Sequence, residues 1–416
     1  MTAELLTFGC RLNSYESEVM RALVPPGQLV VNTCAVTAEA ERQARQAIRR
    51  AVRAAPGRPI TVTGCAAQRD PAAWRALPGV TRILGNAEKL RPASWTHTAD
   101  AVADIMSAPP VPARPVTAFA GRARAFVQVQ QGCDHRCTFC AIPFGRGPNR
   151  SVPETEILAQ ARSLLEAGYQ EIVLTGVDIA SYGMDVPGTP RLGTLARRLL
   201  AALPDLPRLR FSSLDPAAID AALWRLLAEE PRLMPHLHLS LQAGSDLILK
   251  RMRRRHLTGD AAGAIARARD LRPGIAIGAD LIAGFPTETD ALFAETLDFV
   301  TAAALPYLHV FPYSERPGTP AARMPAIPVA TRRARAAQLR AAAAGPAFFA
   351  AQLGRIVQVL TEADAAGYST GHSEHFAPVR LVATSPPGAT LAFPMGRIVA
   401  ARVTAADAAG LIAAPL

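Results

Sequence analysis

Short apolar runs recur along the first hundred residues, and most are followed by a stretch with helical spacing. Strands are predicted at 4–9, 28–33, 59–64 and 81–85, and helices at 14–24, 38–54 and 71–77. This alternation predicts an open parallel α/β sheet over residues 1–107. A Pro-rich stretch beginning Ala108-Pro109-Pro110-Val111-Pro112 reads as a linker over 108–122. Alternation then resumes over 123–345. Strands are predicted at 125–131, 171–176, 208–213, 236–242, 275–284 and 307–312, with helices at 154–167, 191–203, 217–229, 258–271 and 290–303. Six βα units are fewer than the eight of a closed barrel, so a partial or open (β/α)6 barrel is expected. An Ala/Arg-rich helix is predicted over 330–354. The texture then changes to short strands around 355–360, 376–382 and 397–403, which predicts a small β-barrel over 352–416.

The chain has six cysteines, and they fall into two sets of three. Cys133, Cys137 and Cys140 form a tight C-x3-C-x2-C run directly after the first predicted barrel strand. Cys10, Cys34 and Cys65 are far apart, yet each follows an apolar strand-like run: Leu5–Gly9, Leu29–Thr33 and Ile60–Gly64. In open α/β sheets, ligands bind beyond the carboxyl ends of the strands. Three cysteines at three strand ends are therefore expected to converge at one edge. Four irons on three thiolates leave one iron open to a small molecule, whereas electron carriers as a rule use four protein ligands. Structural zinc also takes four ligands, and His135 lies too close within the tight run to complete a usual zinc spacing. For the dispersed set, inert cysteines at strand ends remain an alternative.

Composition narrows the picture. Half of the residues are hydrophobic, enough for a sizeable core, but no charge-free apolar stretch reaches the length of a membrane span. Met1-Thr2-Ala3-Glu4 lacks the basic and apolar regions of a signal peptide, so a cytoplasmic location without a membrane partner is expected, and disulfides are not. The net charge of +11 and pI near 10.0 favour a polyanionic partner. Lys89 and Lys250 are the only lysines, and this arginine bias is also what a GC-rich genome produces. Arg42, Arg45, Arg49 and Arg53 fall at helical spacing just after Cys34 and line one helix face. Lys250, Arg251, Arg253, Arg254 and Arg255 form a second basic patch, and Arg146 with Arg150 a third.

Cys133–Cys140, with Phe139 before the last cysteine, an apolar strand ahead and six βα units, resembles the radical SAM (S-adenosylmethionine) superfamily. The whole chain resembles the methylthiotransferase family, whose members join a three-cysteine N-terminal domain, a radical SAM barrel and a small RNA-binding β-barrel called TRAM. It is most similar to the branch acting on threonylcarbamoyladenosine in tRNA, through Thr7–Ser17, Val31–Thr37, Ala38–Arg50, Phe211–Pro216, His236–Ser245 and His309–Thr319. The isopentenyladenosine branch has Gln-Met-Asn after the first cysteine and Arg after Cys-x-Val; here stand Arg11-Leu12-Asn13 and Thr37. The branch acting on a ribosomal protein has Lys-Asn and then Asp-Ser, which this chain lacks. Asp215 replaces an expected Glu and Ala243 a usual Ser, and the C-terminal segment is divergent.

The resemblance implies two 4Fe-4S clusters, on Cys133, Cys137 and Cys140 and on Cys10, Cys34 and Cys65, with S-adenosylmethionine held at the first. It places Phe139, Thr175, Gly176, Ser240, Gln242, Ile282 and Gly284 near that cofactor. It implies tRNA as substrate, contacted by Arg42, Arg45, Arg49, Arg53, Arg146 and Arg150, and an electron donor such as flavodoxin or ferredoxin. The expected reaction adds a methylthio group to C2 of N6-threonylcarbamoyladenosine next to the anticodon. The same chemistry on isopentenyladenosine tRNA or a ribosomal protein is the nearest alternative. A non-catalytic iron–sulfur RNA-binding protein is an alternative of another class.

Overall fold

The computed structural model describes residues 3–108, 115–365, 368–382 and 393–416; most of the predicted linker's proline cluster, at 109–114, lies outside them. The chain opens with a four-stranded parallel sheet, β1 (Glu4–Thr7), β2 (Leu29–Thr33), β3 (Ile60–Gly64) and β4 (Val80–Ile83), in sequence order. β2 and β3 are buried along their whole length, their polar Asn32, Thr33, Thr61 and Thr63 included. Helices α1 (Arg11–Arg21), α2 (Ala38–Ala54), α3 (Cys65–Arg69) and α4 (Pro71–Arg75) connect the strands. They cover both faces: Leu29 and Val31 pack with Ala44, Ile48 and Trp74, and Val30 packs with Met20 and Val24. Helix α2 starts where Thr37 Oγ accepts the Ala40 N–H (3.2 Å), has Glu39 and Glu41 in its first turn, and ends with Arg53 in its last. The cap and the charge order both favour the helix.

The central strands are β5 (Ala125–Gln128), β8 (Glu171–Thr175), β9 (Arg208–Phe211), β10 (His236–Gln242), β11 (Ala276–Ala283) and β12 (Tyr307–Pro312). They run parallel as two three-stranded sheets, joined where Leu214 and the His238–Ser240 backbone exchange hydrogen bonds of 2.8 and 2.9 Å. Among the described residues β5 and β12 do not pair, so the barrel is open on one side. Helices α6 (Glu154–Glu166), α7 (Leu192–Ala202), α8 (Ala221–Glu229), α10 (Thr258–Leu271) and α11 (Asp290–Ala303) alternate with the strands. A short hairpin of β6 (Gln130–Gln131) and β7 (Arg150–Ser151) spans the tight cysteine run and α5 (Ile142–Arg146), and α9 (Asp246–Met252) caps the end of β10. Helix α1 joins the two units. Leu12, Tyr15 and Val19 enter the barrel's core, while Met20 enters the core of the N-terminal sheet.

The predicted 330–354 helix is instead two helices, α12 (Val329–Ala341) and α13 (Gly345–Ala350). Pro346, at the start of α13, lacks the N–H that would continue α12. The C-terminal segment forms a closed five-stranded barrel of β13 (Ile356–Ala365), β14 (Tyr368–His372), β15 (Pro378–Val382), β16 (Ile398–Asp407) and β17 (Gly410–Pro415). It docks on the end of the central barrel where the strands begin. Arg208 and Arg210 donate to the Gln358 and Ser373 carbonyls (2.6 and 3.0 Å), Arg124 pairs with Glu362, and the Phe376 ring sits among Arg124, Arg210 and His236.

Candidate active site

Cys10 immediately precedes α1, Cys34 follows β2, and Cys65 follows β3 as the first residue of α3. Gly9 and Gly64 sit before two of them, both at φ +97°, a left-handed conformation that glycine adopts without steric cost. A Cβ on Gly9 would lie 2.7 Å from Cys34 Sγ, so the Cys10 and Cys34 loops touch. The three thiols lie close enough to feel one another's charge. Burial pushes the Cys34 thiol up to about 12 and raises the Cys10 thiol as well.

Behind these sulfurs lies a buried polar network. Arg146 Nε donates to Cys65 Sγ at 3.0 Å, and the same guanidinium holds both oxygens of Glu16 and the Asn13 side chain. Lys89 Nζ binds Glu16 and Asn86, each at 2.7 Å. Burial opposes charge on Glu16, but Arg146 and Lys89 outweigh it and hold the carboxyl below its ordinary range. Arg146 is 1% exposed. The expectation that it contacts an RNA phosphate is therefore corrected: a fully paired, buried guanidinium has no donor left for solvent-side phosphate. Arg150 is half-buried and donates to the carbonyls of Ala108 (3.1 Å) and Arg146 (2.7 Å).

The tight run lies in the β6–β7 connection, beyond the carboxyl end of β5. Burial pushes Cys133 up to about 12 and Cys140 up to about 11. Cys133 Sγ lies 4.0 Å from Asp178, whose carboxylate also takes His135 Nε2 at 2.9 Å and Ser181 Oγ at 2.6 Å. Arg254 turns inward, with its side chain 8% exposed, and donates to Cys137 Sγ (3.5 Å), Asp215 (3.0 Å) and the Ser240 carbonyl (2.8 Å). It is thus part of the cysteine site and not of a surface patch.

A cavity lies between the two cysteine-bearing units, and Cys140 is the cysteine on its wall. It has a volume of about 290 Å³ and is lined on one side by Ala35, Val36 and Thr37, directly after Cys34, and on the other by Phe139, Cys140, Gln242 and Ile282. The loop after β12 holds the two units together there. Ser314 Oγ accepts the Ala38 N–H (3.0 Å), Arg316 pairs with Glu41 (2.5 Å), and Arg69 donates to the Pro317 carbonyl (2.9 Å). Phe139, Gln242 and Ile282 are thus on the cavity wall, and Ser240 is half-buried on the same face of β10. Thr175 is buried at the end of β8, with Gly176 half-buried beside it. Gly284 is instead buried against Arg332, where a Cβ would lie 2.6 Å from Cγ, and its φ of +72° is itself a conformation that favours glycine.

Arg42, Arg49 and Arg53 are exposed on α2, and Arg42, Arg45 and Arg49 line a groove of about 520 Å³. Arg42 is paired with exposed Glu39, and Arg45 lies over the Trp74 ring at 4.4 Å. The stripe predicted from spacing therefore contains two freer arginines, Arg49 and Arg53.

All six cysteines are free. Thiols that burial holds protonated are poor ligands until a metal displaces the proton. Two of the sulfurs accept from arginine guanidinium groups, which suits the negative charge of metal-bound thiolate. Each set supplies three sulfurs, the number that leaves one iron of a four-iron cluster open.

A family profile described as "Radical SAM superfamily" matches residues 127–300, and one described as "Uncharacterized protein family UPF0004" matches residues 2–85. The chain is 46% identical over 386 residues to the threonylcarbamoyladenosine tRNA methylthiotransferase MtaB of Rickettsia prowazekii (strain Madrid E), covering 91% of both chains. The chain belongs to the radical SAM methylthiotransferase family. This methylthiotransferase is also 37% identical to MtaB of Bacillus subtilis (strain 168), covering 78% of this chain and 76% of that one. It is 33% identical to the tRNA-2-methylthio-N(6)-dimethylallyladenosine synthase of Anaeromyxobacter dehalogenans (strain 2CP-C), covering 97% and 92%. Among solved structures, the radical S-adenosylmethionine methyltransferase TsrM of Kitasatospora setae shares the fold, with TM-score 0.52 at 16% identity over 75% of this chain and 68% of that one. Family membership gives the methylthiotransferase S-adenosylmethionine and a 4Fe-4S cluster as cofactors. No helix among the described residues is long and apolar enough to cross a membrane.

Several site residues were not singled out from sequence: Asp178 beside the tight run, and His238, Asp280 and His309 on the barrel's inner wall; Arg254 was read only as part of a basic patch. A signal was present for one of them. In His236-Leu237-His238-Leu239-Ser240-Leu241-Gln242 every second residue is polar, and period two puts all four on one face.

Proposed function

We propose that this methylthiotransferase replaces the C2 hydrogen of N6-threonylcarbamoyladenosine, next to the tRNA anticodon, with a methylthio group. The observation carrying this reading is a cavity with Cys140 on one wall and Ala35–Thr37, directly after Cys34, on the other, in a chain so similar to MtaB proteins. Cys133, Cys137 and Cys140 would hold the cluster that binds S-adenosylmethionine, and Cys10, Cys34 and Cys65 a second one. When bound, the first supplies the electron that cleaves S-adenosylmethionine and the second carries the sulfur.

The chain's own residues do the positioning. Arg254 and Arg146 neutralise ligand sulfurs, Phe139 and Ile282 wall the cavity against water, and the Ser314–Pro317 loop fixes the distance between the triads. Exclusion of water strengthens each of these electrostatic contacts. An external one-electron donor such as flavodoxin or ferredoxin completes the system. The fit of an anticodon loop follows from its single-stranded, splayed bases, which a protein cavity can admit.

The test is product analysis after anaerobic reconstitution. Wild type is expected to carry about eight irons in two clusters and to convert threonylcarbamoyladenosine tRNA to its 2-methylthio form. The triple variant Cys10→Ala/Cys34→Ala/Cys65→Ala should keep half of the iron, cleave S-adenosylmethionine to 5′-deoxyadenosine and form no product. Methylthio product from that variant, or activity confined to isopentenyladenosine tRNA, overturns the reading.

A further inference from the structure

His238, Asp280 and His309 stand on three neighbouring parallel strands, β10, β11 and β12. The register sets His238 opposite Gly278 and Asp280 opposite His309, so the period of two brings all three side chains to one face of the sheet. They meet at Asp280 Oδ1: His238 Nε2 lies 3.0 Å from it and His309 Nδ1 3.4 Å. The two imidazole rings lie 4.7 Å apart, tilted by 38°. The other carboxylate oxygen, Oδ2, accepts from Ser213 Oγ at 3.2 Å. Gly278 makes room for the arrangement, since a Cβ there would lie 2.5 Å from His238 Nδ1.

Hydrogen bonding does not explain why these groups converge. His238 is 8% exposed, and its Nε2 is buried without a hydrogen-bond partner among the described residues. Asp280 Oδ1 is near enough, but it lies off the direction in which that ring nitrogen would donate. A buried nitrogen left in this state costs about 1–3 kcal/mol. A shared ion removes the difficulty, because each donor then points at the ion and not at its neighbour. Zinc sits about 2.0–2.2 Å from imidazole nitrogen and carboxylate oxygen, and tetrahedral angles then put the ligand atoms roughly 3.3 Å apart. The separations of 3.0 and 3.4 Å bracket that spacing, and all three candidate ligand atoms lie within 4.8 Å of one another.

We propose that His238, Asp280 and His309 bind one divalent transition-metal ion of the zinc class, as a metal centre separate from both cysteine sets. Two imidazoles and a carboxylate suit zinc and its first-row neighbours, whereas magnesium and calcium take oxygen ligands. Three protein ligands leave a fourth position open to water or a small anion. Ser213 fixes the carboxylate, as outer hydrogen-bond partners of metal ligands do. The ion stands in a wall between two cavities. Asp280 lines the one that Cys140 borders, and His238 and His309 line another, of about 560 Å³. It also ties β12, at the open seam of the barrel, to β10 across β11. The site is independent of the reaction proposed above.

The test is zinc binding by the reconstituted full chain, equilibrated anaerobically with chelator-buffered zinc and followed by elemental analysis and zinc X-ray absorption. Wild type is expected to take up about one zinc per chain, with nitrogen and oxygen neighbours at about 2.0–2.2 Å and no sulfur shell at about 2.3 Å. The His309 side chain is 62% exposed, so His309→Ala spares the core. That variant should bind zinc at least about tenfold more weakly, with its iron content unchanged. Asp280→Asn, which keeps the shape of the side chain, should do the same. Uptake well below one zinc in wild type overturns the inference. So does a zinc spectrum dominated by sulfur, which places the ion at a cysteine set. Zinc affinity unchanged in either variant leaves an ordinary histidine–carboxylate contact and overturns it as well.

Discussion

Arg146 of the central barrel donates to the sulfur of Cys65, a ligand candidate of the N-terminal sheet, 81 residues earlier. One side chain thus connects the helix that follows the tight cysteine run to the dispersed triad. The rest of its guanidinium holds the Asn13 side chain and Glu16, which also holds Lys89.

Removing Arg146 should therefore have two effects. Arg146→Met leaves Glu16 buried with one cation in place of two, and loss of a partner from a buried ion network costs roughly 3–5 kcal/mol. Urea unfolding of the full chain measures this. In a background lacking Cys133, Cys137 and Cys140, the remaining cluster should also shift to a more negative potential, because an N–H···S donor favours the reduced state. A potentiometric titration followed by electron paramagnetic resonance reads that shift.

Acid should loosen the base of the central barrel. Burial raises the Glu171 carboxyl, but Arg210, Arg124 and Arg208 outweigh it and bring its pKa down to about 2, from 4.5 when unperturbed. The folded value lies below the unfolded one. Stability from this group is therefore full above pH 4.5 and is lost as pH falls from there toward 2. The amount is on the order of 3 kcal/mol. Glu171→Gln should be less stable at pH 7 and should lack this component of the acid transition, as followed by denaturation at several pH values.

The arginine stripe on α2 should divide. Arg49→Gln with Arg53→Gln should flatten the salt dependence of tRNA binding by about two counterions, with little change in stability. Arg45→Gln should instead lower stability by about 1 kcal/mol, because its guanidinium lies over Trp74. Filter binding across a salt series and thermal unfolding separate the two outcomes.

Phe376 should govern how tightly the C-terminal barrel is held. Its ring lies 5.0 Å from Arg124, 5.2 Å from Arg210 and 4.6 Å from the His372 ring. Phe376→Ala should increase amide exchange at 208–211 and 356–360 together, since those strands are tied by the Arg208 contact to Gln358. An effect confined to the C-terminal barrel would contradict this docking role.

The parts of this architecture that repeat were legible in the sequence. Buried strands such as Val30–Asn32 and the polar alternation of β10 follow from spacing alone, and so does the placement of Cys10, Cys34 and Cys65 at strand ends. What spacing cannot give is which way a long side chain turns. Arg146 and Arg254 each sit in basic-looking segments, yet both turn inward to sulfur. Arg49, with the same composition around it, stays in solvent. The difference comes from partners far away in sequence, Glu16 for Arg146 and Asp215 for Arg254. Helix α3 was missed because five residues are too few for a periodic pattern, and the break between α12 and α13 because the alanines around it hide the stop.

In the C-terminal barrel, β17 pairs parallel with β15 and antiparallel with β16, so residues 410–415 close a ring whose other four strands precede them. Until that segment is in place, β15 and β16 present open edges able to pair with other chains. Both cysteine triads and the central strands are synthesised well before this point. Assembly of the cysteine sites can thus run ahead of ring closure, and the seating of Phe376 against the barrel base is a late step in biogenesis.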